Sequence, residues 1–401
     1  MAEFFEALII GGGPSGSTAA ILLARGGWSV AIIEKAAFPR GKVCGEYVSA
    51  TNWRLLEELG VADRFERAAG PEVRELALLA GTSCIRAPLP RPGDAPWGRA
   101  LSRAALDSML LEEAARAGAR VYQPFAARRI REVDGVLSLL ASRAGDPGST
   151  VELTGCTAIA AHGSWEPGGL PTQAGRRSPR PADLLAFKAR FVGASLPEGL
   201  MPLVSFPGGY GGLVHTDGDR VSMSACVRRD VLEGLSRGPD GAGAALLAHM
   251  RRATPAIGAF LDGASLEERW LSAGPIRPGF RSLRTGGLFA VGNAAGEAHP
   301  VIAEGITMAM QSAALLSGIL LRHGSARARE EPCSVLGEYR RGWRETFGPR
   351  IRVAAALARW SARPRAVRAA LPFVRAFPRV LTAGARWSGK ERPAPAGASS
   401  S

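Results

Sequence analysis

Residues 7–34 read ALIIGGGPSGSTAAILLARGGWSVAIIE, and this stretch decides the fold. It opens with an apolar run of strand length, after which Gly11, Gly13 and Gly16 follow in G-x-G-x-x-G spacing. A helical segment with small side chains comes next, and a second apolar run then ends on an acid, Glu34. Strand, glycine turn, helix, strand and acid in this order predict a dinucleotide-binding unit.

The residue types of this unit suit a nucleotide for physical reasons. Gly11 permits the tight turn, Gly13 lets the backbone approach a pyrophosphate, and Gly16 lets the helix pack closely on the strand. The start of the helix directs unpaired N–H groups and its positive dipole end at the phosphates. Glu34 can accept hydrogen bonds from both hydroxyls of an adenosine ribose. The alternative is a glycine-rich turn in an ordinary α/β protein.

The loop after Glu34 carries further cations. Arg40 and Lys42 are suited to a phosphate or a carboxylate, or else they are simply solvated. The nucleotide-binding candidates of the first 40 residues are Gly11, Gly13, Ser15, Gly16, Glu34, Lys35 and Arg40.

Length and composition narrow the class of protein. A chain of 401 residues is long enough for two or three packed units. The most apolar segment, 305–321, is broken by polar residues and predicts a buried helix, and the N-terminus shows no export signal. The five cysteines are odd in number and far apart, so we expect neither a disulfide framework nor a metal site, and a cytoplasmic location.

The net charge of +14 is concentrated near the C-terminus. Residues 321–390 contain 16 Arg and Lys against 4 Glu. These arginines alternate with apolar residues at helical spacing, and no nucleic-acid-binding module is recognisable, so we expect no nucleic-acid partner. Two interpretations of this basic segment remain: a solvated helix face, or a peripheral contact with an anionic membrane surface.

Three separated motifs resemble those of one superfamily. They are the glycine turn with Glu34, the segment RALSRAALDSML at 99–110, and VGNAAGEAHPVIAEGITMAMQSA at 291–313. The sequence resembles the FAD-dependent oxidoreductases grouped around geranylgeranyl reductases, aromatic-ring flavin monooxygenases and flavin-dependent halogenases. The resemblance runs from about residue 7 to about residue 350 and implies FAD as the cofactor.

The resemblance also implies roles for residues outside the first turn. Arg103 would lie near the FAD diphosphate, and the third motif would hold the ribityl chain and the flavin ring. Its candidate residues are Gly292, Asn293, Pro300, Gly305 and Ile306. The fold implied is α/β, a Rossmann-type FAD-binding domain with an inserted antiparallel-sheet substrate domain and a C-terminal helical region. We divide it into an FAD-binding domain of 1–74, 98–165 and 266–325, a substrate domain of 75–97 and 180–265, basic C-terminal helices at 326–390 and a disordered tail at 391–401.

The chain departs from the superfamily patterns at three places. Asn293 replaces an aspartate, although an amide can still bind a ribityl hydroxyl. His162 replaces the aspartate of an Asp-Gly pair that is linked to both FAD and NADPH in the hydroxylases. None of the eight tryptophans are two residues apart, so the halogenase signature is missing and halogenation is disfavoured.

Two segments favour the reductase branch. The segment 42–45, KVCG, resembles its Lys-Pro-Cys-Gly segment near the flavin. The segment FPGGYGG at 206–212 resembles its turn over the substrate, which makes Phe206, Pro207 and Tyr210 the substrate candidates.

Few side chains suit acid–base chemistry beside the flavin. The catalytic candidates are His299, Glu304 and Cys44, with Glu46 on the same loop as the cysteine. His299 could equally be a structural histidine, Glu304 a helix cap, and Cys44 a small buried apolar residue.

Three functions follow from these observations. The first is an FAD-dependent enzyme that reduces or desaturates a C–C bond of a lipophilic, polyketide- or isoprenoid-like molecule, with NADH or NADPH as electron donor. The second is a monooxygenase that uses NAD(P)H and O2 on a similar substrate. The third is a flavin-binding protein without catalysis, which docks a membrane or partner through its basic helices.

Overall fold

A computed structural model describes residues 3–163, 168–173, 175, 178–235 and 238–390 of the protein. The predicted tail at 391–401 lies outside the described residues. The strands are β1 (Glu3–Ile10), β2 (Val30–Ile33), β3 (Tyr47–Val48), β4 (Glu75–Ala80), β5 (Ser83–Pro88), β6 (Arg99–Ala100), β7 (Arg120–Tyr122), β8 (Phe125–Val133), β9 (Val136–Arg143), β10 (Asp146–Ala160), β11 (Leu184–Val192), β12 (Leu200–Phe206), β13 (Gly209–Thr216), β14 (Arg220–Arg228), β15 (Ser265–Leu266), β16 (Leu271–Ile276), β17 (Gly279–Phe280), β18 (Arg284–Thr285), β19 (Leu288–Ala290) and β20 (Gly296–Glu297).

The helices are α1 (Pro14–Arg25), α2 (Trp53–Glu58), α3 (Ala62–Ala68), α4 (Arg103–Arg116), α5 (Arg229–Glu233), α6 (Gly241–Ala253), α7 (Ala256–Phe260), α8 (Gly305–His323), α9 (Ser325–Glu330), α10 (Pro332–Ser361), α11 (Pro364–Ala376) and α12 (Arg379–Ala385). Short 3-10 turns lie at Ala50–Asn52, Asp217–Asp219, Gly292–Ala294 and Pro300–Ile302, and a π-helical turn at Arg386–Lys390 follows α12.

The first sheet is parallel at its centre. Its order is β18-β19-β10-β1-β2-β7, with parallel pairing from β19 through β7. All four residues of β2 are buried, as expected for a parallel strand that is covered on both faces. Helix α1 packs against α4 and α8, and small residues on α1 allow this close approach. The predicted α/β fold is therefore confirmed.

One strand is longer than its sequence suggests. The pattern predicts a hairpin arm at 150–153 and a separate buried strand at 156–161, but β10 runs unbroken over both. Its first half pairs antiparallel with β9, and its second half joins the parallel sheet beside β1. The hairpin is thus an extension of a central strand.

The second sheet is antiparallel apart from one pair. Its order is β15-β11-β14-β13-β12-β4-β5, and β16 also pairs with β11. Helices α6 and α7 cover one face through a core that includes Phe187, Leu213 and Met223. Because β16 belongs to this sheet, the sheet extends to residue 276, beyond the predicted boundary at 265.

The C-terminal helices return to both sheets. Helix α10 packs on α8, while α11 and α12 lie against β4 and β5. Among the described residues one helix, α8, is long and apolar enough to cross a membrane, but 72% of its most apolar window is buried inside the protein. Helix α8 is a core helix, as its interrupted apolar pattern predicts.

Candidate active site

The glycine turn between β1 and α1 has no room for side chains at two of its glycines. Gly11 has φ +108°, and a Cβ there would lie 2.6 Å from the carbonyl oxygen of Ala161. A Cβ on Gly16 would lie 1.8 Å from the carbonyl oxygen of Gly11. Gly13, by contrast, has free space beside its backbone. The nearest atoms to a Cβ there would be guanidinium nitrogens of Arg103 and Arg40, at 3.6 and 3.9 Å.

The acid at the end of β2 is fixed by the backbone around it. One carboxylate oxygen of Glu34 accepts a hydrogen bond from the N–H of Gly12 at 2.7 Å, and the other accepts one from the N–H of Ala36 at 2.8 Å. The side chain is buried, so its carboxylate is held in one orientation at the edge of the turn.

Cations surround the same turn. Arg103, at the start of α4, donates two hydrogen bonds of 2.7 and 2.8 Å to the fully buried Asp107, and Arg40 lies 3.1 Å from that carboxylate. Burial, together with the charges of Arg103, Arg40 and Lys35, lowers the pKa of Lys42 to about 8. The neighbouring cations Arg103, Arg40 and Lys35 place positive charge beside Lys42, which a bound diphosphate would neutralise.

The loop that starts after β19 approaches this turn from the other side. Gly292 has φ +59°, and its N–H donates to the hydroxyl of Ser312 at 2.8 Å. The side-chain amide of Asn293 donates to Glu297 at 3.4 Å, and Arg281 donates to the carbonyl of Asn293 at 2.6 Å and to Glu297 at 3.2 Å. The amide that replaces the expected aspartate thus belongs to an ordered polar group.

A cavity of about 150 Å³ lies between this loop, the Cys44 loop and the second sheet. Its walls are mostly apolar and include Ala186, Met201, Leu203, Leu213, Ala225 and Ile276. Six residues predicted from distant parts of the sequence line this one cavity: Cys44, Tyr210, Asn293, Pro300, Gly305 and Ile306.

One catalytic candidate, Cys44, lines this cavity, and a second, His299, contacts a residue that lines it. The Cys44 thiol lies in its wall and accepts a hydrogen bond from the N–H of Glu46 at 3.4 Å. The ring Nδ1 of His299 lies 3.3 Å from the hydroxyl of Tyr210. Burial lowers the pKa of His299 to about 4, helped by the charge of Arg359, and burial raises the pKa of Tyr210 well above its usual range. At neutral pH His299 is therefore uncharged and Tyr210 keeps its proton.

The third catalytic candidate lies elsewhere. Glu304 is fully buried before α8, and its carboxylate forms an ion pair of 2.6 Å with Lys390. Its side chain does not cap the helix by a hydrogen bond either. The partner is 86 residues away in the sequence, which is why no local pattern predicts this pair.

The predicted substrate turn divides between the two faces of the second sheet. Tyr210 faces the cavity, but Phe206 is packed in the core on the other face, with its ring against His249 of α6. Pro207 is exposed, and its carbonyl accepts a hydrogen bond from His249. The hairpin register explains the difference, because Phe206 pairs with Gly209 while Tyr210 pairs with Ser205. Of the three residues predicted to contact the substrate, only Tyr210 therefore lines the cavity.

A buried ion pair beside the cavity was not predicted from the sequence. Lys188 of β11 is bonded to Glu46, whose carboxylate also accepts from the N–H of Arg103 at 2.8 Å. Lys188 lies on the face of β11 opposite to Phe187 and Ala189, and it is buried. A lysine within an otherwise mostly apolar strand was the one feature of the sequence that could have predicted a buried ion pair.

His162, which replaces the aspartate of the hydroxylases, is also uncharged. Its Nε2 lies 2.8 Å from the hydroxyl of Thr172. Burial lowers its pKa to about 4, and the charges of Lys35, Lys42 and Arg281 act in the same direction. The ring thus cannot supply the negative charge that an aspartate would carry at this position.

The glycine turn, the fixed acid and the cation cluster define a dinucleotide-binding protein with the two-sheet architecture of flavoproteins. Residues 5–164 match the family described as FAD binding domain. The chain is 31% identical over 120 residues to the menaquinone reductase of Mycobacterium tuberculosis (strain CDC 1551 / Oshkosh), a match that covers 29% of this chain and 28% of the reductase. The curated relatives are matched over less than a third of their own length.

Two solved structures show the same fold over nearly the whole chain. A myxobacterial chondrochloren halogenase is 22% identical with a TM-score of 0.73, covering 98% of this chain and 94% of the other. A geranylgeranyl bacteriochlorophyll reductase-like protein from Thermoplasma acidophilum is 18% identical with a TM-score of 0.70, covering 90% and 88%. Residues 5–164 therefore contain an FAD-binding domain, and the chain shares its fold with these flavin-dependent halogenases and reductase-like proteins.

The site fits FAD in its charge and its shape. Gly13 leaves the backbone open where a diphosphate would approach, and Arg40, Lys42 and Arg103 supply the opposite charge. Glu34 would hold the adenosine ribose, and the Asn293 amide would hold the ribityl chain. The fold and the FAD-binding domain are those of FAD-dependent enzymes.

Proposed function

We propose that this protein is an FAD-dependent oxidoreductase that reduces or desaturates a C–C bond of a lipophilic molecule of polyketide or isoprenoid type. The observation that carries the proposal is the mostly apolar cavity, which lies against the loop proposed to hold the flavin and contains Cys44 and Tyr210 in its wall. When bound, FAD supplies hydride transfer, and the protein supplies the binding, orientation and proton.

Tyr210 is the proposed proton donor. Its hydroxyl is protonated at neutral pH and lies 3.3 Å from Nδ1 of the uncharged His299. A neutral imidazole can carry a proton on one ring nitrogen and accept one on the other, so His299 can return a proton to Tyr210. Tyr210 would touch the substrate, whereas His299 would act through Tyr210.

The proposed electron donor is NADH or NADPH. The replacement of an aspartate by the uncharged His162 bears directly on this proposal, because the aspartate is linked to nicotinamide use in the hydroxylases. The rate at which each nicotinamide bleaches the visible absorption of the FAD-loaded protein measures the preference. Equal and negligible rates with both would place the reductant on a separate protein.

Support for a reductase also comes from the comparisons. The menaquinone reductase is 31% identical to this chain over 120 aligned residues, and the reductase-like protein has the same fold as this chain. Halogenases share the fold as well, but the tandem tryptophans of the halogenase signature are missing from this sequence.

The deciding experiment is anaerobic turnover of the FAD-loaded protein with a panel of prenylated quinones and aromatic polyketides, with dithionite-reduced flavin to test reduction of the bond and with oxidised FAD plus an artificial electron acceptor to test its desaturation. Product formed without oxygen supports the reductase. Product formed only after oxygen is admitted establishes the monooxygenase instead, and product that gains halogen when bromide is present establishes a halogenase. No product under any condition, with FAD bound, favours a non-catalytic flavin-binding protein.

The role of Tyr210 is tested by Tyr210→Phe, which removes only the hydroxyl. We expect the turnover number to fall about 100-fold with FAD affinity unchanged. The matched control is Tyr122→Phe, because the Tyr122 hydroxyl bonds Glu3 away from the cavity. Unchanged turnover in Tyr210→Phe would contradict the assignment.

A further inference from the structure

The outer face of the C-terminal helices exposes an unusual group of apolar side chains. We call this group the aromatic corner: Phe373, Phe377, Val380 and Trp387, whose exposed fractions are 57%, 58%, 41% and 73%. The rings of Phe373 and Phe377 lie 5.3 Å apart at the junction of α11 and α12, Val380 is in the first turn of α12, and Trp387 is in the turn that follows that helix. Exposed apolar patches of this kind mark interaction surfaces.

The charge around the aromatic corner has one sign. Residues 346–390 contain no Asp or Glu and ten Arg or Lys. Eight of these cations are exposed arginines: Arg352, Arg359, Arg363, Arg365, Arg368, Arg375, Arg379 and Arg386. Any occupant of this surface must therefore present negative charge around an apolar interior.

The inner face of the same helices is fixed to the second sheet. Val374 and Leu371 of α11 pack with Leu78 and Ile85 of β4 and β5. The aromatic side chains are therefore displayed on a packed support and are not the inner face of an undocked helix.

We propose that the aromatic corner is a docking surface for an anionic lipid membrane. A bilayer combines negative headgroups with an apolar interior a few ångströms below, and an amphipathic helix with arginines and aromatic residues lies in that interface. The contact is peripheral, since α11 has 13 residues, which is too short to cross a bilayer.

Other occupants fit less well. A second copy related by a two-fold axis would place this patch against itself, and the arginines of the two copies would repel. Residues 391–401, ERPAPAGASSS, contain no aromatic or large aliphatic side chain with which to cover the corner.

Docking would bring the cavity close to the bilayer. Leu381 and Ala385 of α12 pack in the same cluster as Tyr47, Met201 and Val214, which line the cavity. A lipophilic substrate dissolved in the membrane would then have a short path to the cavity. This consequence depends on the proposed function, whereas the docking itself does not.

The test is flotation of the full-length protein with phosphatidylcholine vesicles that contain or lack phosphatidylglycerol. We expect the protein to float with the anionic vesicles and Phe373→Ser/Phe377→Ser to bind them about tenfold or more weakly. Val133→Ser is the matched control, because Val133 is 57% exposed at a hairpin tip of the first sheet.

The charge is tested separately. Arg365→Gln/Arg379→Gln should weaken binding to anionic vesicles only, and the effect should shrink as salt is raised, while Arg129→Gln/Arg131→Gln should bind as the wild type does. Equal flotation of wild type and both corner variants would overturn the proposal. So would light scattering that shows a dimer abolished by Phe373→Ser/Phe377→Ser, because the corner would then be covered by a second copy. Neither flotation nor light scattering measures turnover, so a negative result for membrane docking is distinct from a negative result for the proposed enzyme activity.

Discussion

Arg40 and Arg103 share one buried carboxylate, Asp107, yet they are not equivalent. Arg103 makes both hydrogen bonds to Asp107 and is itself buried, so it stabilises the start of α4. Arg40 lies at 3.1 Å from the same carboxylate and packs its guanidinium over the ring of Phe38. Removal of Arg40 leaves Asp107 paired, which makes Arg40 the cleaner probe of cofactor binding.

We predict that Arg40→Met weakens FAD binding about tenfold or more, because one charge-assisted contact to the diphosphate is lost. The stability of the cofactor-free protein should change little. Fluorescence titration of the cofactor-free protein with FAD measures the first effect and urea unfolding the second. The control is Arg54→Met, an exposed position on α2. An FAD affinity equal to that of wild type would show that Arg40 is only solvated.

His162 gives a prediction about pH. Its pKa is about 4 in the folded protein, against 6.5 for an ordinary histidine. Between these values the unfolded chain takes up a proton that the folded protein does not, so the free energy of unfolding falls as the pH is lowered from 6.5 towards 4. We expect His162→Gln to remove part of that fall, about 1–3 kcal/mol.

The measurement is urea unfolding of wild type and His162→Gln at several pH values from 8 to 4.5. The two curves of stability against pH should run parallel above pH 7 and diverge below 6.5. Curves that remain parallel throughout would mean that His162 is not held in its uncharged form by burial.

At the scale of elements, the glycine turn was predictable because its residue types are demanded locally. Gly11 and Gly16 are required by backbone contacts within one strand–turn–helix unit. The placement of Phe206 was not predictable in this way, since it depends on the register of the β12–β13 hairpin. Glu304 depends on Lys390, a residue brought to it by helices distant in the sequence. The resemblance therefore selected loops that line one cavity, while the side-chain partners that come from other elements could not be predicted from it.

The glycine turn also provides a matched pair of variants. A Cβ at Gly13 meets no atom closer than 3.6 Å, so we expect Gly13→Ala to fold normally and to lose FAD affinity, because the methyl group would occupy the approach of the diphosphate. A Cβ at Gly16 would lie 1.8 Å from a backbone oxygen that cannot move freely. Gly16→Ala should therefore lower the free energy of unfolding by about 3 kcal/mol or more.

Thermal unfolding without FAD separates the two glycine variants, and FAD titration of Gly13→Ala completes the comparison. If Gly13→Ala bound FAD as tightly as wild type, the diphosphate would not lie over this turn. If Gly16→Ala were as stable as wild type, the close packing of α1 on the turn would be wrong.

At the scale of the whole molecule, the last residue that the structure describes, Lys390, lies beside the candidate active site. Lys390 donates to Glu304 at 2.6 Å and to the carbonyl of Ile302 at 3.0 Å, and it lies over the ring of Tyr47, which lines the cavity. The C-terminal helices that carry the aromatic corner are thus joined to the start of α8. The buried ion pair between Lys390 and Glu304 stabilises this connection.

We predict that Lys390→Met lowers the free energy of unfolding by about 3–5 kcal/mol, because it leaves the carboxylate of Glu304 buried without its partner. The double variant Lys390→Met/Glu304→Gln should recover much of that loss, since it removes the charge as well. Urea unfolding of the four proteins in the cycle gives the coupling energy. The control is Glu331→Gln, which breaks an exposed ion pair with Arg327 and should change stability by less than about 1 kcal/mol.

Activity decides the role of Glu304: if Glu304 is structural, turnover should return with stability in the double variant. Turnover that stays absent in a stable double variant would restore Glu304 as a catalytic residue.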